Sequence, residues 1–271
     1  MKNLAIFIAF LKKLYESRYM VRMMAIRDLK AMYVGSLFGF FWAVINPLAQ
    51  LAIYGVVFGV FLKAKPDPAY GTDSYFLFLL CGIVPWQFFA QTVSASTNTL
   101  VAHTNLVKKA VGFNSEILPV ITVLSNLLSH LIGTILLLAI VFIVMGKLSA
   151  MSPVILLYLF FIVVFSVGMG WIVSSLNVYL RDVQQVVGLL MMAWMFLTPI
   201  FYSASIFPAQ ILPLVKLNPL YHMVEGYRYA ILTGKLLPAA DIATLAIVSF
   251  LTFALGGLLF RRLKPGFGEV L

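Results

Sequence analysis

The sequence predicts an all-α polytopic membrane protein. It has six transmembrane helices, an N-terminal amphipathic interfacial helix, and external re-entrant helices between the fifth and sixth spans. Three observations lead there. The 271 residues are 62% hydrophobic and only 10% charged, whereas a water-soluble domain carries ~25% charged residues. The apolar residues gather in runs near the ~20 residues needed to cross hydrocarbon. The Lys and Arg residues fall between those runs, so a net charge of +10 orients the chain on anionic lipid and does not signal nucleic acid.

Leu4, Phe7, Ile8, Leu11 and Tyr15 recur on one helical face, with Lys2 and Lys13 opposite; this is the pattern of a helix lying in the interface. Arg18 to Met32 is also read as an interfacial helix, although Met and Arg mix around its wheel. No cleavable signal is expected, because Lys12 and Lys13 stand where small residues would be needed. Residues 1–34 thus form an interfacial region, residues 35–264 the membrane domain, and residues 265–271 a tail. Tyr33, beside Arg27, Asp28 and Lys30, anchors the turn into the bilayer.

The first span runs Leu37–Leu62 without a charge. At ~1.5 Å per residue it makes about 39 Å of helix, longer than ~30 Å of hydrocarbon, so it must tilt or bend, with Pro47 the expected bending point. The others cover about 75–93, 117–145, 153–176, 183–202 and 242–260. Segment 94–116 is polar enough to be a loop with a short helix. Segment 203–235, chopped by Pro208, Pro213 and Pro219 yet rich in Leu, Ile and Tyr, fits half-inserted helices packed on protein. Six spans put both termini on one side. Of the Lys and Arg residues, 13 lie on that side and 6 on the other, which places the termini in the cytoplasm.

Several function classes are excluded by what is missing. No Asp, Glu, Lys or Arg lies in the charge-free cores of the spans, where ion-coupled transporters and intramembrane enzymes keep their relays. His130 is the one ionisable group inside a span, and a lone His there is expected to bond between helices. His103, His130 and His222 are scattered, so no metal site and no catalytic set is expected. Gly146-Lys147 and Gly234-Lys235 fail as P-loops: Val141 and Tyr229 replace the leading glycine, and Leu148 and Leu236 the hydroxyl. Cys81 is the only cysteine, so no internal disulfide forms. Gly35/Gly39 and Gly55/Gly59 are small-xxx-small pairs that would let another helix approach. Aromatic residues crowd spans one and five. Most are membrane bulk, but flat rings also suit the apolar faces of sugars.

At this point the sequence resembles the ABC-2 type permeases that export polysaccharides such as O-antigen, capsule and teichoic acid. The matching pieces occur in order along nearly the whole chain. They are Arg27-Asp28-Leu29-Lys30 with Tyr33, Ser36, Gly39, Trp42 and Pro47; Asn105-Leu106-Val107-Lys108 with Glu116-Ile117-Leu118-Pro119; Arg181-Asp182-Val183; Thr198-Pro199-Ile200-Phe201-Tyr202; Asn218-Pro219-Leu220 with Glu225 and Tyr227-Arg228; and Lys264-Pro265 with Glu269-Val270-Leu271. Two departures stand out: Phe113-Asn114-Ser115 where the family usually has Phe-Pro before the coupling Glu, and Glu269 for the usual Asp.

The resemblance implies a fold like that of type V exporters and a permease homodimer in the bacterial inner membrane. Two copies of a separate ATPase subunit would supply ATP and Mg, with no cofactor on this chain. The cargo would be an undecaprenyl-pyrophosphate-linked polysaccharide, O-antigen first among them. It also implies site residues. Arg22, Arg27 and Lys30 would meet the lipid pyrophosphate. Tyr33, Phe38, Trp42, Tyr54, Trp194, Phe201 and Tyr202 would line the glycan pathway. Asn105, Lys108, Lys109 and Glu116, in a coupling segment over 100–116, would engage the ATPase. Asn218, Tyr221, Glu225 and Arg228 would belong to an external gate over 203–235. Within the same architecture the rival is a drug or small-lipid exporter, and outside it a membrane-embedded lipid or sugar transferase. The scattered acidic residues do not suit the transferase.

Overall fold

The computed structural model describes residues 18–31, 35, 37, 39–61, 65–109 and 114–271. The expected helix over Leu4–Tyr15 lies outside them, as do Tyr33 and Phe38. The described residues form helices and turns, with no strand among them. In chain order the helices are α1 (Arg18–Ala31), α2 (Trp42–Tyr54), α3 (Tyr75–Ala102), α4 (Thr104–Lys109), α5 (Ile117–Met145), α6 (Ile155–Tyr179), α7 (Val183–Leu197), α8 (Leu212–Val215), α9 (Pro219–Arg228), α10 (Ala239–Leu263) and α11 (Phe267–Val270). Four helical stretches are long and apolar enough to cross a bilayer: Tyr75–Ala102, Ile117–Met145, Ser152–Tyr179 and Ala239–Val270. Leu48–Phe61 and Val183–Leu197 are apolar but shorter.

The first expected span is not one regular helix. Trp42–Tyr54 is α-helical and Gly55–Phe61 continues as wider π-helical turns. Before it, Gly35 and Gly39 take φ of 82° and 48°. Those angles suit glycine in a turn, so this pair bends the chain and does not form a helix-packing face. Gly59 has no neighbour within 4 Å of where a Cβ would sit.

α3 is the central helix: 78% of its most apolar window is buried, against 17% for α10. It starts on Ser74, whose hydroxyl accepts from the Leu77 amide at 3.4 Å, a conventional N-cap. It does not stop near Val93, where polarity rises, but runs on to Ala102. The reason is in the side chains: Ser96, Thr97 and Thr99 are buried, and Thr97 donates back to the Val93 carbonyl at 2.9 Å. A short hydroxyl bonded to its own helix, as that of Thr97 is, does not end it. Inside the bundle, Phe89 stacks on Phe165 of α6 and meets Trp194 of α7 edge-on, both at 5.3 Å.

α6 and α10 pack backbone against backbone. A Cβ on Gly168 would fall 2.6 Å from the backbone of Thr252 and Phe253, and Gly256 faces Gly168 across the contact. Only glycine allows two backbones this near. The fifth expected span, 183–202, ends early as a helix at Leu197. Thr198 is extended at φ −98°, ψ 136°, as expected before Pro199. With 15 residues, α7 is about 22 Å long, short of ~30 Å of hydrocarbon.

Candidate functional site

Two ends of the bundle carry the chemistry, separated by the length of α3. At the α4 end, α3 turns through His103 into α4, where Asn105 and Lys108 are exposed. Lys109 closes that helix, its side chain outside the described residues. Glu116 follows and is held from two directions. Lys264 Nζ lies 2.7 Å from its carboxylate, and Trp171 Nε1 donates to its carbonyl at 3.0 Å. α11 packs against α4, and its Phe267 is seated on Phe260 at 5.3 Å. The C-terminal residues therefore belong to the same platform as the candidate coupling residues. The Glu116–Lys264 partnership spans 148 positions, and no local pattern announces it.

α1 lies along the lower part of α5, tied by the Ser125 hydroxyl donating to the Ala25 carbonyl at 3.0 Å. Arg22 and Arg27 are exposed. Lys30 sits in the last turn of α1, with its side chain outside the described residues. Between α1 and α5 is a groove of about 500 Å³, apolar along Val21, Ala25, Leu124 and Leu127, with Arg18 and Arg22 at its edge. An apolar slot with guanidinium groups at the edge is complementary to an anionic amphiphile.

At the opposite end, the segment around α9 builds a polar knot. Asn218 caps α9: its side-chain oxygen accepts from the Leu220 amide at 3.0 Å, with Pro219 following at the first helical position. The same oxygen accepts from Trp194 Nε1 at 3.0 Å, and its amide donates to the Thr198 hydroxyl at 2.9 Å. One side chain thus starts a helix and fastens it to the broken end of α7.

Ten residues on, Arg228 is fully buried and ion-paired to Glu225 at 2.9 Å. Its guanidinium also donates to the carbonyls of Pro199 at 2.6 Å and Ile200 at 2.7 Å, and lies 3.6 Å from the centre of the Phe78 ring. The Tyr70 hydroxyl donates to Glu225 at 2.8 Å. Burial first, and then the Glu225 carboxylate, push the Tyr70 phenol above its ordinary pKa, so it stays a donor at neutral pH. A buried ion pair needs this degree of satisfaction to be tolerated. Glu225 and Arg228 are therefore fixed in the wall and do not stand free in an opening. Tyr221 is buried beside them.

The aromatic candidates divide. Phe201 is buried, stacked on Phe58 at 4.9 Å and met edge-on by Tyr54 at 5.3 Å. Tyr202 is half-buried, its hydroxyl donating to the Phe196 carbonyl. Trp42 and Trp194 are half-buried on α2 and α7. The structure joins Tyr54, Phe201 and Tyr202 at the α9 end, with Trp194 nearby through Asn218. His130 bonds Tyr227 across α5 and α9 at 2.9 Å, the interhelical role expected of it. Sequence reasoning gave no site role to Asp67 or Tyr70, and Thr198 entered it only within the Thr198–Tyr202 run. Asp67, ahead of Pro68, carried the local signal of a helix cap, whereas nothing local marked Tyr70.

Compared with known proteins, residues 19–232 match the family described as ABC-2 type transporter. The chain is 30% identical over 269 residues to an O-antigen export system permease protein RfbA of Klebsiella pneumoniae, covering 96% of this chain and 99% of that protein. It is 26% identical over 269 residues to RfbA of Myxococcus xanthus, covering 97% and 99%. The polysialic acid transport protein KpsM of Escherichia coli is 25% identical over 248 residues, covering 89% and 92%. With this span of family match laid over a bundle of apolar helices, the chain belongs to the ABC-2 type transporter family.

Proposed function

We propose that this chain is the permease subunit of an ATP-driven exporter that moves undecaprenyl-pyrophosphate-linked polysaccharide, O-antigen in the first place, across the bacterial inner membrane. The observation that carries this is the end-to-end likeness to O-antigen export permeases, 96% of one chain against 99% of the other. Two copies of the permease form the pathway, and two copies of a separate ATPase bind ATP and Mg beneath it. Both termini lie in the cytoplasm, in keeping with the loop charges. Six spans then require the segment 39–61 and α7 to cross in company with the second copy.

In this reading Arg22, Arg27 and Lys30 receive the lipid pyrophosphate, supported by the basic edge of the α1–α5 groove. Asn105, Lys108, Lys109 and Glu116 transmit ATPase motion, supported by the exposure of Asn105 and Lys108 and by the bracing of Glu116 by Lys264. The aromatics of the first and fifth spans line the glycan pathway, and α8–α9 form its outer closure. Removing the permease from its host should abolish surface glycan and leave lipid-linked glycan inside. Reconstitution of the permease with the ATPase should restore ATP-dependent transfer. Transport by the permease alone, without any ATPase, would refute the proposal.

A further inference from the structure

A cavity of about 490 Å³ opens between the loop preceding α3 and the loop following α7, at the end of the bundle opposite α4. Its size is ordinary for a small-molecule site. The lining mixes two kinds of surface. Half-buried Tyr202, backed by buried Phe201, supplies the aromatic side, while Lys65, Asp67, Ser203 and Ser205 supply charge and hydroxyls. The polar side is arranged in sequence: Ser205 Oγ donates to Ser203 Oγ at 2.9 Å, and Ser203 Oγ donates to one oxygen of Asp67 at 3.4 Å. The other Asp67 oxygen accepts from the Ala69 amide at 3.0 Å. That amide first, and the Ser205 hydroxyl next, hold the Asp67 carboxyl below its ordinary pKa. A carboxylate offers about four acceptor positions, so two bonds leave capacity for a ligand.

The main chain here is also fixed. The Tyr75 hydroxyl donates to the Phe201 carbonyl at 2.8 Å, and Asp67 caps the turn Pro68–Tyr70. A charged, hydroxyl-rich wall is poorly suited to the centre of a protein interface, where charged residues are depleted. It is well suited to a polyol. Ring faces meet sugar C–H groups, a carboxylate accepts from vicinal hydroxyls, and an ammonium donates to a hydroxyl or an acidic substituent.

We infer that this cavity is a glycan-binding subsite that holds sugar units of the exported polymer as they leave the permease, with Asp67 and Lys65 bonding hydroxyls against the Phe201–Tyr202 wall. The inference rests on the polysaccharide-export reading and adds to it a defined sugar contact at the exit. It also gives the loop before α3 a part in handling the cargo.

The test is photo-crosslinking in glycan-producing cells that carry the full permease–ATPase complex. A benzophenone amino acid replaces Ile206, which is 69% exposed on the cavity edge, or, as control, Ile247, 65% exposed on α10. After irradiation the tagged permease is purified and stained for carbohydrate. A sugar-positive, high-mass ladder is expected from position 206 and not from 247. Asp67→Ala should weaken the ladder about tenfold, the effect of losing a hydrogen bond to a charged acceptor. Ser205→Ala, a surface change that leaves the turn cap intact, should weaken it in the same direction.

Three outcomes would overturn the inference: labelling unchanged in both variants, a benzophenone adduct consisting only of a second permease copy, or no sugar adduct while surface glycan is still made. The broader reading fails separately, if cells deleted for this chain still display glycan.

Discussion

At the scale of single residues, Arg228 ties three parts of the structure together. Four hydrogen bonds from its guanidinium reach Glu225 and the carbonyls of Phe78, Pro199 and Ile200, so it joins α9 to the start of α3 and to the break after α7. Arg228→Ala would leave Glu225 buried with the Tyr70 hydroxyl still donating to it. Loss of one partner of a buried pair costs about 3–5 kcal/mol, and the purified variant should melt well below the parent in a detergent thermal scan. Arg228→Lys should recover little, because one ammonium cannot reach carbonyls in two directions. A Lys variant as stable as the parent would remove the fork from the explanation. Asn218→Ala should cost about 1 kcal/mol through the lost cap. It should also leave Trp194 Nε1 without its acceptor, visible as a shift in tryptophan emission. Of this knot, Asn218-Pro219 was picked out in the sequence through the family resemblance. The Tyr70–Glu225 bond was not, because its members are 155 positions apart and their pairing depends on how α9 folds back.

Among the elements, the α6–α10 contact and the α4 platform make distinct demands. Gly168 and Gly256 let two backbones touch, so Gly256→Leu must drive the helices apart. A penalty of about 1–3 kcal/mol is expected for such overpacking, checked by the yield of monodisperse protein and its melting temperature. Wild-type behaviour of that variant would show that the contact can spread at no cost. On the α4 platform, Lys264 braces Glu116 across the base of the bundle. Lys264→Ala should preserve assembly with the ATPase yet lower transport per ATP hydrolysed, and the charge swap Glu116→Lys with Lys264→Glu should restore part of it. Equal coupling ratios in all three proteins would assign the pair to stability alone. The long apolar helices were legible as elements because length and hydropathy suffice to mark them. The ends of α3 and α7 as helices do not follow from hydropathy alone: the Thr97 hydroxyl, bonded to its own helix, sits within an α3 that continues into polar sequence, and α7 ends ahead of Pro199 within an apolar stretch.

For the whole molecule, the organisation is a braced bundle with chemistry at its two ends. The α4 end collects exposed basic residues and a C-terminal clamp; the α9 end collects aromatics, hydroxyls and a buried ion pair. Cysteine pairs linking Lys108 to the ATPase, and none linking it to external proteins, are expected from the proposed topology, and mass spectrometry of crosslinked cells would decide it. By itself the sequence determined that the chain lives in a membrane and that its helices are linked by basic loops. The ordered motifs also pointed to a polysaccharide permease. Those properties follow from composition, apolar run length and local spacing, all of which exist before folding. Only the tertiary structure decided that Glu225 and Arg228 are a buried fastening, that Glu116 is held by Lys264, and that Asp67 meets Ser203 beside Tyr202. Each of these joins residues distant in the chain, and their partnership is set by helix packing, to which local sequence is blind.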